Sequence, residues 1–499
     1  MHSSVAYLWG ISYRRTGLID QNQLFIRWRA IFSYCVVAFV VAFVVGCSQQ
    51  GASPAVSEIA SANSLSEKTP NVSTDSASGA GSSDFASDAN VLLEPPTTGL
   101  AEPVVEPDPA GLHMDGLLAL QRGDVQVAYE KARQAMRLRP DDPQVIFLMA
   151  MVLGKRNRFP EAIKMLDELA ETTPSLRLPV MGQTAEWMVQ SGQWQEAERR
   201  YRKVMVAVPE SVQVHRNLAG LLSRQGHRIN AAEHLASLCE LGDVTEEELR
   251  FLLMIAFPFP GDADEIDPIG VLGASRCDLA SGAWQSVRER LESHNEIDAV
   301  ESALLGRTLA NLNDLDALEA WVANAADSDE GHPDAWFARG VFAANQGEHD
   351  RAVRCFCESV LLDQTDHQAY LMLGQSLAEL GANEDAERVL HRSSLIERTQ
   401  VLGAKMASTE LREDAALTEL IGLLNQLHRP LEALGWRGVQ IGYSQGNSST
   451  TDSDTQRILE EIVVGRSKVL SEGHARPSRE FILCGIDVDS LPQDESNDL

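Results

Sequence analysis

Small residues recur along this chain with a period near 34 residues, and that period limits the folds open to it more than any other feature. Alanines stand at Ala128, Ala162, Ala197 and Ala231, spaced 34, 35 and 34. Prolines follow at Pro140, Pro174 and Pro209, spaced 34 and 35. Gly116, Ala150, Ala185 and Ala219 hold a second small position, and Gly123, Gly192 and Gly226 mark the turns between the two. The pattern returns further on. Gly306, Gly340 and Gly374 are 34 apart, as are Leu318, Ala352 and Ala386, with Gly347 and Gly381 at the turns. A fixed period of roughly 20–50 residues marks stacked supersecondary units. Each unit reads as two antiparallel helices whose small residues let the backbones approach and whose turn glycine permits a tight reversal. Large apolar residues such as Leu118, Phe147, Leu218 and Leu373 are expected to fill the space between helices. One unit cannot bury its apolar face alone, so neighbours must stack into a solenoid.

These positions resemble tetratricopeptide repeats. The best unit spans 333–366, with Trp336, Gly340, Gly347, Ala352 and Phe356, and the next carries Tyr370, Leu373, Gly374, Gly381 and Ala386. The resemblance implies an all-α, TPR-type α-solenoid, with four units over residues 111–245 and three over 299–400. Residues 246–298 keep only Gly282 and Leu291 roughly in phase. They include FLLMIAFPFPGDADEIDP, an apolar helix broken by Pro258 and Pro260, and are expected to form a degenerate helical joint. The second run also lacks the unit-ending prolines, with Gln364 where one is expected. Residues 401–442 read as a helical cap. Residues 443–499 read as a Ser/Thr-rich loop, a short amphipathic helix over 456–472 and an acidic tail. The resemblance further implies a concave groove, lined by first helices, that binds other proteins or peptide segments. In this phase the groove would include Phe147, Met151, Glu186, Arg216, Arg224, Arg307, Asn311, Phe337, Asn345 and Gln375. Arginines and aromatics make good anchors at such surfaces. Repeats that clamp a chaperone's C-terminal carboxylate place Lys and Asn where this chain has His113 and Leu117, so that specialised role is not expected.

The N-terminus points outside the cytoplasm. Arg27 and Arg29 precede sixteen uncharged residues, IFSYCVVAFVVAFVVG, over 31–46. A basic region followed by an apolar one is the pattern of an export signal, and this stretch is shorter than the ~20 residues a spanning helix needs. It ends in Val44-Val45-Gly46-Cys47, before a polar segment. This resembles a bacterial lipoprotein signal. The resemblance implies that residues 1–46 are removed and that Cys47 carries diacylglycerol on its thiol and an acyl chain on its amino group. Ser48, a non-Asp residue, implies the outer rather than the inner membrane, with the body facing the periplasm. An uncleaved single-pass inner-membrane anchor is the alternative, and it leaves the body on the same side. The basic region is long if Met1 is the start, and no other Met precedes Met114. Residues 47–110 are Ser-, Ala- and Pro-rich, with one aromatic, Phe85, and one lysine, Lys68. They cannot bury enough apolar surface to offset the entropy of ordering, and are expected to be a disordered tether spanning about 45 Å.

Charge narrows the partners. The formal net charge is −30, and the first 46 residues contribute +3, leaving −33 on the remainder. Such a body is a poor ligand for nucleic acid, whose binding relies on Lys and Arg neutralising phosphates. The expected function is an envelope-anchored scaffold or adaptor that mediates protein–protein interactions or complex assembly, with no catalytic centre and no cofactor. A non-catalytic regulatory arm of an envelope enzyme complex is a second reading. A third, more remote, is a hydrolase centred on Ser444, because Gly442-Tyr443-Ser444-Gln445-Gly446 matches GxSxG. That elbow requires a strand before it and a helix after it, whereas a helical pattern precedes this one and NSSTTDSDT follows. Of the seven cysteines, Cys35 and Cys47 lie in the N-terminal region. Cys239, Cys277, Cys355, Cys357 and Cys484 are scattered, with no CxxC, and read as structural thiols. Cys355 and Cys357, two apart on a helix, point about 200° apart and cannot grip one ion. The acidic run Asp262, Asp264, Glu265, Asp267 lacks calcium-loop spacing and reads as a solvated loop.

Overall fold

The computed structural model describes residues 108–325, 331–408, 413–445 and 452–488. The segment expected to be an export signal, Cys35, the expected acylation site Cys47, most of the expected tether and the end of the acidic tail lie outside the described residues. Every regular element among the described residues is a helix, and none is long and apolar enough to cross a membrane. The chain folds into two compact units, which among the described residues hold 108–156 and 157–488.

The first unit contains α1 (Pro109–Arg122), α2 (Val125–Leu138) and α3 (Pro143–Lys155). Helix α1 begins inside the segment expected to be tether. Asp108 caps it, accepting from the amides of Ala110 and Gly111, and a proline at the first helical position has no amide to orphan. Gly116 is pressed on α3: a Cβ there would lie 2.8 Å from Leu148 Cδ2. Leu112, Ala135 and Val145 form the small core. Leu118 is exposed, which corrects the expectation that it fills the space between helices. It lies two positions beyond Gly116, about 200° round the helix, on the side away from α2 and α3.

The second unit contains α4 (Phe159–Thr172), α5 (Arg177–Gln190), α6 (Trp194–Ala207), α7 (Val212–Gln225), α8 (Arg228–Leu241), α9 (Glu246–Leu253), α10 (Pro260–Ala263), α11 (Gly270–Leu279), α12 (Trp284–Glu292), α13 (Ala299–Asn311), α14 (Leu315–Asn324), α15 (Pro333–Asn345), α16 (His349–Leu362), α17 (His367–Glu379), α18 (Asn383–Ser408), α19 (Asp414–Gln426), α20 (Pro430–Gln445), α21 (Asp452–Ser471) and α22 (Arg479–Ile482). Helices pack in sequential pairs: α5 on α6, α7 on α8, α11 on α12, α13 on α14, α15 on α16, α17 on α18, α19 on α20. First helices also touch the first helices of neighbouring pairs, α5 with α7, α13 with α15 and α15 with α17.

The 34-residue glycines explain the close pairing. A Cβ on Gly306 would lie 2.6 Å from the Trp321 ring, one on Gly340 2.6 Å from the Phe356 ring, and one on Gly374 2.6 Å from Leu390. In three successive pairs the first helix therefore gives up a side chain so that a bulky residue of the second helix can lie against its backbone. Phe356, Leu373 and Tyr370 are fully buried in the resulting core.

Residues 246–298 divide into two parts. Helices α11 and α12 form a short pair, turning at Gly282, and α11 packs directly on α7. The stack therefore passes from α7 to α11 and leaves residues 243–268 as an insertion. Its base is closed at Arg224, whose carbonyl accepts from Ile269 N at 2.7 Å and whose guanidinium reaches Asp267 O at 2.8 Å and Asp267 Oδ2 at 2.6 Å. Inside the insertion, α9 carries a capping box of Thr245 and Glu248 and packs on α8, α18 and α20, while α10 packs on α18. Gly403 on α18 makes room for Phe259, and Gly435 on α20 makes room for Leu249. Helix α18 runs unbroken through residue 400, and α20 continues through 445, beyond the expected start of the loop at 443. Helix α21 begins at Asp452 rather than 456.

Candidate functional site

The first-helix surface is the expected site, and the structure sorts its ten residues into groups. Asn345 and Gln375 are exposed on α15 and α17, and Phe147, Glu186 and Asn311 are half-buried. Met151, Arg307 and Phe337 are buried, Arg307 at 1% exposure, and so are corrected: they hold the fold and present no surface to a partner. Arg216 and Arg224 are also engaged. Arg216 donates to Glu248 Oε1 at 2.6 Å and Asp243 Oδ1 at 2.8 Å, and Arg224 closes the base of the insertion.

Met151 is buried within its own unit, whereas Arg307 is buried where the insertion meets the first helices. Phe257 enters among the first helices, with the guanidinium carbons of Arg276 and Arg307 at 5.8 and 5.5 Å from its ring centroid. Phe337 takes Arg307 on its face at 3.9 Å. The segment 254–259, apolar and broken by Pro258, thus covers surface that in a regular array would face solvent. Around it is a buried ionic network. Arg276 donates to Asp334 Oδ2 at 2.5 Å and Arg307 is hydrogen-bonded to both oxygens of Asp366. Arg228 Nε donates to Ile255 O at 2.7 Å, and Ile255 N donates to Thr365 Oγ1 at 3.0 Å.

Asp363, Thr365 and Asp366 belong to the turn after α16, where Gln364 stands in place of the unit-ending proline. The turn is buried and supplies acceptors to the network, which a solvent-facing proline turn would not. Burial and the neighbouring Asp366 push the Asp363 carboxyl up to about 6. Asp366 is opposed by burial, but the Arg307 charge and hydrogen bonds hold it below the ordinary carboxylate range. Paired buried charges are costly to desolvate, and their loss one at a time costs more. This cluster is an internal lock on the insertion.

The other sequence candidates resolve simply. The GxSxG stretch lies in the last turn of helix α20, not at a strand-to-helix elbow, and Gly446 is outside the described residues. Cys239, Cys355 and Cys357 are buried, while Cys277 and Cys484 are partly so, and burial raises the Cys239 thiol well above its usual range. The acidic run at 262–267 is not simply solvated. Asp262 pairs with Arg250 at 2.6 Å and Asp267 with Arg224, so two of its four carboxylates pin the insertion.

Sequence reasoning missed the insertion as an occupant of the groove. The available signal was Phe257 and Phe259 in a proline-broken apolar run with no partner positions in its own unit. The absence of a proline at 364 was the second signal.

A model of the tetratricopeptide repeat matches residues 119–177, and a second tetratricopeptide repeat model matches residues 304–364. No curated protein matches the chain. Among solved structures, a tetratricopeptide repeat protein from Parabacteroides merdae aligns at 13% identity and a TM-score of 0.25, covering 54% of this chain and 98% of that one. The Cut9–Hcn1 hetero-tetramer of the APC/C aligns at 12% identity and 0.25, covering 73% and 86%. The TPR2AB domain of yeast Sti1 in complex with pHSP90 aligns at 14% and 0.24, covering 57% and 98%.

Proposed function

From a chain that carries tetratricopeptide repeats, we propose an adaptor that is held in the cell envelope by a lipid on Cys47 and binds other proteins through its stacked helices, without catalysis of its own. The observation that supports this most is the keeping of phase. The same contact, a glycine of one helix against a bulky side chain of the next, recurs at Gly306, Gly340 and Gly374. Such repetition builds an extended surface whose residues are set by the register of the stack. Asn345 and Gln375 are its exposed polar members on neighbouring first helices.

The anchoring part rests on the sequence around Cys47. With a lipid there, the body stands outside the cytoplasm, facing the periplasm, at the end of the 47–110 segment. A strongly acidic body fits a protein ligand better than a nucleic acid or an anionic lipid surface. Metabolic labelling with a palmitate analogue tests the anchor. The full-length chain should take up label and fractionate with membranes, and Cys47→Ala should lose the label. Equal labelling of both chains contradicts the anchor. A serine-esterase assay tests the non-catalytic part: an activity in the wild type that Ser444→Ala abolishes would overturn it.

A further inference from the structure

A cleft of about 600 Å³ lies between α18, the α19–α20 turn and α22. Its walls concentrate cationic and aromatic groups in a chain whose net charge is −30. Arg388 and His391 come from α18, His428 from the α19–α20 turn and Phe481 from α22, with Arg392 between them. His428 stacks on Phe481, ring centroids 3.7 Å apart and planes 25° off parallel. His428 holds its position with a left-handed backbone, φ 55°.

Arg392 is the distinctive group. It is 4% exposed. Its guanidinium carbon lies 4.7 Å from the Phe481 ring centroid and 5.3 Å from that of Tyr370. Its Nε donates to Tyr370 Oη at 3.0 Å. That phenol in turn donates to Ile482 O at 2.9 Å, so the aromatic frame fixes the guanidinium in place. Among the described residues no carboxylate lies within ion-pair distance of it. Every other deeply buried arginine of the insertion network, by contrast, has a carboxylate or carbonyl acceptor: Arg276 has Asp334, Arg307 has Asp366 and Arg228 has Ile255 O. Arg388 is held at the rim by Asp385 and by Cys484 O, the latter at 3.1 Å. The only carboxylate lining the cleft among the described residues is that of Glu480, which is exposed.

A buried guanidinium with unused donors, beside a stacked aromatic pair, is the recognition chemistry of a carboxylate carried next to an apolar group. The planar fork of arginine matches a carboxylate in two parallel hydrogen bonds. We propose that this cleft is a carboxylate-binding site, with Arg392 as the anchor, His428 and Arg388 as rim donors and Phe481 as the apolar floor. The volume is that of a pocket for one small ligand or one or two side chains. The carboxylate can come from an acidic side chain of a bound polypeptide, a source that rests on the adaptor reading, or from a free aryl carboxylic acid, which does not.

The test uses the full-length chain and two probes. One is a fluorescein-labelled, end-blocked peptide with two aspartates flanking a phenylalanine, followed by anisotropy. The other is phenylacetate, followed by calorimetry and by competition. Binding of the peptide, with no binding of its asparagine counterpart, assigns the polypeptide source; binding of phenylacetate alone assigns the free acid. Either must weaken by about tenfold in Arg392→Met, as expected for loss of a charge-assisted pair, and measurably in His428→Asn and Arg388→Gln. Those two exposed positions leave the core intact, and asparagine tolerates the left-handed backbone at 428, so they decide the matter if Arg392→Met fails to fold. No binding of either probe, or binding unchanged in all three variants, overturns the site. Crosslinking of a partner at Gln375 in cells reads the adaptor function separately and survives failure of the pocket.

Discussion

Replacing Gly340 by alanine tests whether close pairing of helices organises the stack. A Cβ at 340 would lie 2.6 Å from Phe356 Cε1 and 2.8 Å from Cδ1 and Cζ. Ordinary carbon contacts lie at about 3.5–4.0 Å, so the ring or the helix must move by roughly 1 Å. Phe356 is fully buried and meets Phe337 edge-on at 5.9 Å between centroids, so the ring has no empty space to enter. Overpacking of this kind costs about 1–3 kcal/mol. Removing a glycine from a helix interior returns about 0.5–1 kcal/mol. The net expectation is a loss of roughly 0–2.5 kcal/mol, from the difference of those ranges. Gly422, on helix α19, is the control, because a Cβ there meets nothing within 4 Å. Gly422→Ala should stabilise by about 0.5–1 kcal/mol. Urea unfolding followed by far-UV circular dichroism gives the two midpoints, which should move in opposite directions. If Gly340→Ala gains stability as Gly422→Ala does, the close-approach reasoning is wrong.

Three further outcomes follow from the buried charges. Arg307→Ala leaves the buried Asp366 without its guanidinium partner, while Asp334 keeps Arg276, and should cost about 3–5 kcal/mol in a urea titration, with easier proteolysis of the 254–268 segment. The Asp363 carboxyl, raised to about 6, disfavours the folded state as it ionises, so its contribution to stability falls as pH rises from about 4 to 6 and is constant above. Asp363→Asn should therefore raise the unfolding midpoint at pH 7.5 and change it little near pH 4. His234 is held neutral by burial and by His215, its Nδ1 3.2 Å from that of His215, and is lowered to about 4. The stability this gives is complete above about pH 6.5 and is lost as pH falls toward 4, so His234→Gln should flatten the midpoint across that window.

The repeat was legible because its signal is local. Gly340, Gly347, Ala352 and Phe356 fix one helical pair by their spacing alone, and the neighbouring pair repeats it with Gly374, Gly381 and Ala386. The insertion was not legible, because its partners are far away in the chain. Phe259 is accommodated by Gly403, and Ile255 bonds to Thr365, 110 residues on. Arg307 and Phe337 sit at groove-facing phase, and Arg307 is drawn into the core by distant partners, Phe257 of the insertion and Asp366 of the turn after α16, while Phe337 packs on Arg307 and Phe356. The cleft at Arg392 was hidden for the same reason: α22 brings Phe481 to His428 from a segment with no repeat phase.

The proposed adaptor receives another polypeptide on its exposed first-helix face. A photo-crosslinking amino acid placed at Gln375 in the full-length chain, in cells, tests it most directly, with Val206 on the second helix α6, 83% exposed, as the comparison. A discrete crosslinked partner is expected from Gln375 and little or none from Val206. Equal crosslinking at both, or crosslinks from Val206 alone, would contradict it.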